Sequence, residues 1–277
     1  DATGLPVLDT DVPDGIRNGT VWCWTNARWV SFFYSPIGDG ESVKRFLGSD
    51  LARTVQCDGT SVTNCIEHSG GKRPGCWSHA RRRFADAARA GDSLGLEALR
   101  KIRPLFEIER KSQLEGDTAE QRKARRKQHA APVLEELRAW LDAQQAIIPP
   151  KTTLGRALGY LHRQWPRLVL FLDDGNIELT NNGRERELRK LVLGKKNWLF
   201  VGHDLGGERT AAILTLVATC VTHDVNPRAY LHLATKLLLN GWPQKNLRDL
   251  LPDRLAVSHP EVLLRAHDVA APAALPD

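Results

Sequence analysis

The sequence predicts an α/β protein whose strands gather near the start and whose helices follow. Three observations carry this. Residues 20–25 and 28–34 are rich in β-branched and aromatic side chains, the composition of strands. From residue 81 to about 172, apolar residues recur three and four apart, the spacing of amphipathic helices, and two further helical stripes run on to about residue 238.

Taken in order, Thr20-Val21-Trp22-Cys23-Trp24-Thr25 and the run from Arg28 to Tyr34 form a hairpin across the short link Asn26-Ala27. A polar turn and a short amphipathic helix come next. Residues 53–59 read as a strand ending on Asp58 and a turn glycine, the position at which open sheets present catalytic side chains. A short strand near Gly75-Cys76-Trp77 precedes a helix over 81–89. Leu96, Leu99, Arg103 and Phe106 share one helical face, and Leu134, Leu137 and Leu141 another. Pro149-Pro150 interrupts, then Leu154, Ala157, Leu158, Leu161 and Trp165 restart a stripe expected to stop before Pro166. The apolar run 168–172 closes on the turn Asp173-Asp174-Gly175. Asn181 and Asn182 are good caps for a helix starting near Gly183. Residues 197–201 read as extended, Gly206-Gly207 opens a helix to about Asp224, and Pro227, Tyr230, Leu231, Leu233, Leu237 and Leu238 mark the last clear helix. The Ala/Pro-rich end from about residue 268 reads as a disordered tail.

A chain of 277 residues can bury a full core in one or two domains. Its 42% hydrophobic and 26% charged residues are ordinary globular values. No apolar run approaches the roughly 20 residues needed to span a bilayer, and no secretory leader is visible. Five cysteines, an odd number, argue against a disulfide framework, so a soluble protein of a reducing cytoplasm is expected. Methionine is absent, even at position 1, which suggests a processed chain or a piece of a longer reading frame. The net charge of +6 hides a polarity: residues 1–71 hold five Lys/Arg against nine Asp/Glu, and residues 72–130 hold sixteen against eight. That separation suits a protein holding cations in one place and a polyanion, nucleic acid above all, in another. The basic runs Arg81-Arg82-Arg83 and 122–127 read either as DNA contacts or as solvated helix faces.

One acid stands out. Glu185 falls in the first turn of a basic helix, where the macrodipole stabilises a carboxylate, and at helical spacing it shares a face with Leu188, Arg189 and Val192. It reads as a metal-binding acid beside phosphate-binding bases, or as an i,i+4 surface pair with Arg189 worth only about 0.3–0.5 kcal/mol. Lys195, Lys196, Asn197 and Trp198 interleave bases with an aromatic, a pattern for phosphate contact and base stacking. The reading slightly favoured for Trp198 places it with Leu199 and Phe200 in the core. Cys57, Cys65, Cys76 and His79 could ligate zinc, but their spacing matches no standard finger, and a packed thiol beside a hydrogen-bonded histidine is preferred. Cys23 and Cys220 read as core residues. The glycines from 202 to 207 lack the setting of a dinucleotide fingerprint.

Asp1 before an extended segment, Asp58 at a strand end and Glu185 at a helix start follow the Asp, Asp, Glu order of ribonuclease-H-like polynucleotidyl transferases. The chain resembles the catalytic region of the insertion-sequence-sixty-six family of DDE transposases from Asp1 to about Pro252. Six motifs carry the resemblance: Gln56-Cys57-Asp58-Gly59; Gly75-Cys76-Trp77-Ser78-His79-Ala80-Arg81-Arg82; Asn181-Asn182-x-x-Glu185-Arg186-x-x-Arg189; Gly194-Lys195-Lys196-Asn197-Trp198-Leu199-Phe200; Gly206-Gly207-Glu208-Arg209; and Asp249-Leu250-Leu251-Pro252.

The resemblance implies a ribonuclease-H-like mixed sheet built from residues 1–89 and 173–224, a mostly helical insertion over 90–172, and a C-terminal helical region with its tail over 225–277. It implies that Asp1, Asp58 and Glu185 are the catalytic residues and hold two Mg²⁺ ions, with Mn²⁺ able to substitute. It implies DNA contacts from Arg81, Arg82, Arg186, Arg189, Lys195, Lys196, Trp198 and Arg209, and supporting roles for Cys76, His79, Asn181 and Asn182. The implied activity is strand cleavage by water at a transposon end, followed by attack of the freed 3′-hydroxyl on target DNA. The implied partners are double-stranded DNA, as transposon ends and target, and further copies of the protein; the implied setting is the bacterial cytoplasm at the nucleoid, with no membrane. Two departures accompany the match. Thr180 stands where the family has Asp, and the family's N-terminal DNA-end-binding region is expected ahead of Asp1. The alternative expectation is therefore a non-catalytic DNA-binding remnant of a truncated transposase.

Overall fold

The computed structural model describes residues 1–26, 28–48 and 50–264, except the side chains of 182–186. The expected tail and the side chains of Asn182, Glu185 and Arg186 lie outside the described residues.

Three strands, β1 (Ala2–Leu8), β2 (Ile16–Thr25) and β3 (Val30–Ser35), form an antiparallel sheet in that order. Ala2 faces Trp22 and Leu8 faces Ile16, while Thr20 faces Ser35 and Thr25 faces Val30. The hairpin link is longer than expected. Asn26 Oδ1 accepts the N–H groups of Arg28 and Trp29, each at 2.8 Å, and this Asx turn draws both residues out of the strand.

Helices follow in chain order: α1 (Gly40–Leu47), α2 (Asn64–His68), α3 (Trp77–Arg89), α4 (Ser93–Leu114), α5 (Ala119–Arg125), α6 (Ala131–Gln145), α7 (Thr153–Leu168), α8 (Asn182–Trp198), α9 (Asp204–Thr222), α10 (Pro227–Leu239) and α11 (Pro252–Ser258). A π-helical turn, Arg126–Ala130, joins α5 to α6. The protein is thus mixed α/β, largely helical. The sheet itself is antiparallel; among the described residues parallel pairing is confined to the single bridges Val7–Val201 and Thr54–Lys72.

The expected strand over 53–59 does not extend beyond such a bridge. Val55 N–H donates to Lys72 O and Cys57 N–H to Pro74 O, but Pro74 has no N–H to return, so the ladder stops. The short strand expected at Gly75-Cys76-Trp77 becomes instead the extended cap of α3. Residues 197–201 are not a strand either: α8 runs to Trp198, and only Val201 pairs, with Pro6 and Leu8. Conversely, α7 runs through Pro166, because the lost N–H falls in its last turn and Trp77 Nε1 anchors Leu168 O at 2.9 Å. On α4 the buried face is Gly95, Ala98, Ile102 and Leu105; Leu96 is 48% exposed, so the stripe expected there is displaced.

The chain divides into two compact units, one of residues 1–38 and 184–277 and one of 39–183. In the first, Leu5, Val7, Val21, Cys23, Phe32 and Tyr34 alternate onto one sheet face and pack with Leu188 and Leu191 of α8 and Ala211 and Ala218 of α9. Thr215 Oγ1 of α9 accepts from Phe32 N–H at 2.8 Å and Thr219 Oγ1 donates to Val30 O at 3.2 Å, so the helix satisfies the outer edge of β3. Gly207 is required for this fit, since a Cβ there would lie 2.7 Å from the Tyr34 ring. A second cluster of this unit joins Cys220, Tyr230, Leu250 and Leu255, and Tyr230 donates to Leu250 O at 2.8 Å. Cys23 and Cys220 are core residues, as expected. In the second unit α3, α4, α6 and α7 enclose Trp77, Phe84, Ile102, Leu137, Leu158 and Leu161.

Candidate functional site

Within the unit 39–183, three of the sequence motifs meet. Asp58 ends an extended segment and is half-buried; its Oδ1 accepts Thr60 N–H at 3.3 Å, an Asx turn that holds the acid at the surface. Gln56 Nε2 donates to Gly75 O at 3.3 Å and also to Glu178 O, which ties the Asp58 segment to the start of α3 and to the stretch before Thr180. Trp77 N–H donates to Leu179 O at 3.1 Å and Asn181 N–H to Cys76 Sγ at 3.4 Å. The second aspartate, the Cys-x-x-His motif and the Asn-Asn motif thereby share one neighbourhood.

Asn181 is 1% exposed, and neither polar atom of its amide finds a hydrogen-bond partner among the described residues. Burial pushes the Cys76 thiol up, but the hydrogen bond with the His79 side chain and the N–H groups of Asn181 and His79 outweigh it and leave the thiol below its ordinary value. This is the packed thiol with a bonded histidine. Cys57, bonded to Thr63 at 3.3 Å, is held above the ordinary thiol value by burial. Among the described residues no three His, Cys, Asp or Glu side chains gather into a metal-holding group, Cys57, Cys65, Cys76 and His79 included.

Arg73, which the sequence reading passed over, holds the Asp58 turn in place. It is 1% exposed. Its Nη1 donates to Asp58 O at 3.2 Å, Thr60 O at 3.0 Å and Thr63 Oγ1 at 2.9 Å, and its Nη2 to Asn64 Oδ1 at 2.7 Å and Glu67 Oε2 at 3.3 Å. Arg167 grips Glu67 in bidentate fashion, Nε to Oε1 at 2.7 Å and Nη2 to Oε2 at 2.5 Å, and this bond above all holds the Glu67 carboxyl below its usual value. Tyr160 was also missed, hidden in the apolar stripe of α7. A Cβ at Gly59 would lie 3.0 Å from its hydroxyl, and the Arg83 guanidinium stacks 4.1 Å from its ring centre. Burial raises the Tyr160 phenol, with Arg83 opposing.

The arginines of the basic run 122–127 are paired with acids. Arg126 is fully buried, with Nε and Nη2 on the two oxygens of Glu109 at 2.7 Å each and Nη1 on Phe171 O and Asp174 O. Arg125 pairs with Asp117 and Glu115, and Arg122 with Glu178 at 3.0 Å. Arg81 and Arg82 are exposed on α3, with Arg81 5.7 Å from the Phe106 ring centre.

In the other unit, Asp1 N donates to Cys23 O at 3.2 Å and Asp1 Oδ1 accepts Ala2 N–H at 2.9 Å, so the first acid is registered at the end of β1 beside β2. On α8 the apolar anchors are Leu188 and Leu191; Val192 is 37% exposed, which corrects the face assigned to it. Glu187 pairs with Lys190 at 2.7 Å. Lys195 donates to Thr3 Oγ1 at 3.2 Å and to Gly4 O, and burial lowers its ammonium. Arg189, Lys196 and Arg209 are exposed. Trp198, Leu199 and Phe200 are 38%, 61% and 40% exposed, so the core reading of this triplet fails: α8 ends at Trp198 and the chain turns at Leu199, whose φ is +64°. Asp204 accepts from Arg17 at 2.5 Å and from Tyr34, and these bonds hold its carboxyl below the usual range. No helix among the described residues is long and apolar enough to cross a membrane.

Comparison with known proteins gives the context of these motifs. Three uncharacterized proteins of Sinorhizobium fredii (strain NBRC 101917 / NGR234) are similar: y4hP is 35% identical over 64% of this chain and 34% of its own length, y4jD 30% identical over 91% and 52%, and y4qI 26% identical over 91% and 49%. The chain thus spans between about a third and just over a half of the length of these relatives. No solved structure matches it. The profile of the family described as "Transposase IS66 family" matches residues 1–209, and the chain belongs to that family.

Proposed function

We propose that this chain is the catalytic segment of an insertion-sequence transposase that cleaves and joins DNA strands at the element's ends. Asp58 and Glu185, with Asp1, serve as metal-binding carboxylates on a ribonuclease-H-like core, and the partner is double-stranded DNA bound by a homo-oligomer in the bacterial cytoplasm. The observation that carries this reading is the meeting of the Asp58 segment, the start of α3 and the Asn181 segment through Gln56, Trp77 and Cys76. Glu185 follows Asn181 by four residues in the motif that supplies the third acid.

The donor set fits Mg²⁺: three carboxylates are hard oxygen ligands suited to an ion that keeps several waters. When bound, a metal pair would activate the attacking oxygen and stabilise the leaving one. The chain's own residues do the positioning. Arg73 fixes the carbonyls of Asp58 and Thr60, so the carboxylate projects from a turn that is clamped from behind. The exposed Arg81, Arg189, Lys196 and Arg209 supply cations to backbone phosphates, and the half-exposed Trp198 offers a stacking face for an unpaired base.

The test is a set of carboxamide substitutions. Asp58→Asn should weaken Mn²⁺ binding measured by titration calorimetry, and Asp58→Asn and Glu185→Gln should each abolish Mg²⁺-dependent cleavage of element-end DNA while DNA binding is nearly unchanged. Glu187→Gln should change neither, because residues two apart on a helix point about 200° from each other and Glu187 is paired with Lys190. Wild-type cleavage by the Glu185 variant would overturn the assignment.

A further inference from the structure

Outside the Asp58 neighbourhood, the unit 39–183 carries a cavity of about 370 Å³ lined by Arg83 of α3, Arg156 and Arg163 of α7, and the backbone at Pro150, Gly155 and Gly159. No acid lines it. Among the described residues Arg83 and Arg163 form no ion pair, and Arg156 gives hydrogen bonds to Lys151 O and Thr153 Oγ1, so three arginines line one cavity without a carboxylate to neutralise them. The contrast with Arg122, Arg125 and Arg126 is direct, since each of those is held by an acid. Two glycines shape the wall. A Cβ at Gly155 would lie 2.0 Å from Pro149 O, and one at Gly159 would press 3.2 Å from Arg163 Nη1, so bare backbone brings the Pro149-Pro150 bend close and lets the Arg163 head fold back over α7.

We infer that this arginine pocket seats the phosphodiester backbone of DNA, an inference that rests on the chain acting on DNA. Planar guanidinium forks match phosphate oxygens in bidentate fashion. Residues 156 and 163 are seven apart on α7, about 10 Å along its axis, so two separated cationic positions suit the repeated phosphates of a strand better than one compact anion. Tyr160 links the pocket to the candidate catalytic turn: its ring carries Arg83 on one face and its hydroxyl reaches the backbone beside Asp58. A strand seated on the arginines is thus held one side chain away from Asp58.

The experiment is a salt titration of the full chain binding a fluorescein-labelled duplex. Each phosphate contact contributes about 0.9 to the slope of log affinity against log salt, so Arg156→Ala with Arg163→Ala should reduce that slope by about 1.8 and weaken binding most at low salt. Arg103→Ala, whose guanidinium is paired with Glu107 at 3.1 Å on α4, is the control and should leave the slope unchanged. Circular dichroism checks the fold, and Arg163→Gln alone, expected to lower the slope by about half as much, serves if the double variant unfolds. An unchanged slope and affinity in the variants overturns the inference. So does a variant that loses binding of inorganic phosphate but keeps the DNA slope, which would mark a free-phosphate site. Wild-type protein that binds DNA with the expected slope but cleaves none removes the catalytic reading and leaves the pocket standing; protein that binds no DNA removes both.

Discussion

Replacing Arg73 by methionine removes a charge that touches neither solvent nor substrate, and it should still disable the site. The guanidinium makes five hydrogen bonds of 2.7–3.3 Å, three of them to the Asp58–Thr63 turn, and it is 1% exposed. Deleting one partner of a buried charged network costs roughly 3–5 kcal/mol, because the remaining carbonyls and the Asn64 amide oxygen lose their donors in a dry setting. Two effects reduce this. Methionine refills most of the volume, and the Nε of Arg73, which has no partner among the described residues, no longer has to be buried. A net loss of about 3 kcal/mol is expected, set against the roughly 5–15 kcal/mol by which domains of this kind are stable. The protein should therefore fold, with the turn loosened. Urea unfolding measures the loss, and hydrogen exchange at the amides of 58–63 reports the turn, which should lose protection before the helices do. Mn²⁺ affinity should fall although Asp58 is intact. A loss under about 1 kcal/mol with unchanged exchange at those amides would refute the clamp, since the buried bonds would then carry no net stabilisation.

Two further outcomes follow from the same geometry. The Glu67 carboxyl titrates below its unfolded value of 4.5 because Arg167, and then Arg73, favour its charged form; a depressed acid stabilises the fold above the unfolded value and loses that contribution as pH falls through the folded one. Stability of the unit 39–183 should thus decline below about pH 4.5, and the acid limb of a pH–stability curve should flatten in Glu67→Gln; a curve of unchanged shape would exclude the pair as its source. In the other unit, Gly207→Ala would place a Cβ 2.7 Å from the Tyr34 ring, an overpacking expected to cost about 1–3 kcal/mol in thermal or urea unfolding. A Gly207→Ala protein as stable as the wild type would show that Tyr34 can move without loss.

Local patterns were legible where one element decides its own structure. The hairpin and the buried faces of α6 and α7 follow from spacing and side-chain type within a dozen residues, whereas α9 begins at Asp204 under a His203 cap rather than at Gly206, and the Asn181 amide caps nothing among the described residues. Misreadings came where a distant or missing partner decides. The 53–59 strand fails because its neighbour presents Pro74, and Leu96 is exposed because α4 turns its Gly95 and Ala98 side toward α3, where a Cβ at Gly95 would meet Ala88 N at 2.7 Å. Asp58 could be singled out by its motif, yet Arg73, which holds its backbone, looked like one base among many between Lys72 and Pro74.

Charge shows the same division most clearly. In sequence, 122–127 is the densest basic run and the natural candidate for a polyanion, whereas Arg83, Arg156 and Arg163 are scattered over eighty residues. Folding reverses their standing. Glu109, Asp117 and Glu178, none of them adjacent to the run, are brought onto it and pair its three arginines as internal support. The scattered three meet at one cavity with no acid opposite. Coulomb attraction to a phosphate scales with the charge left over after internal pairing, not with the count of basic letters, so affinity for DNA in this unit should follow the unpaired cluster. Neutralising the pocket and neutralising the run therefore separate two roles that composition merges: the first should change the salt slope of binding with little effect on folding, and the second should unfold the helices around Arg126 before any effect on DNA can be read.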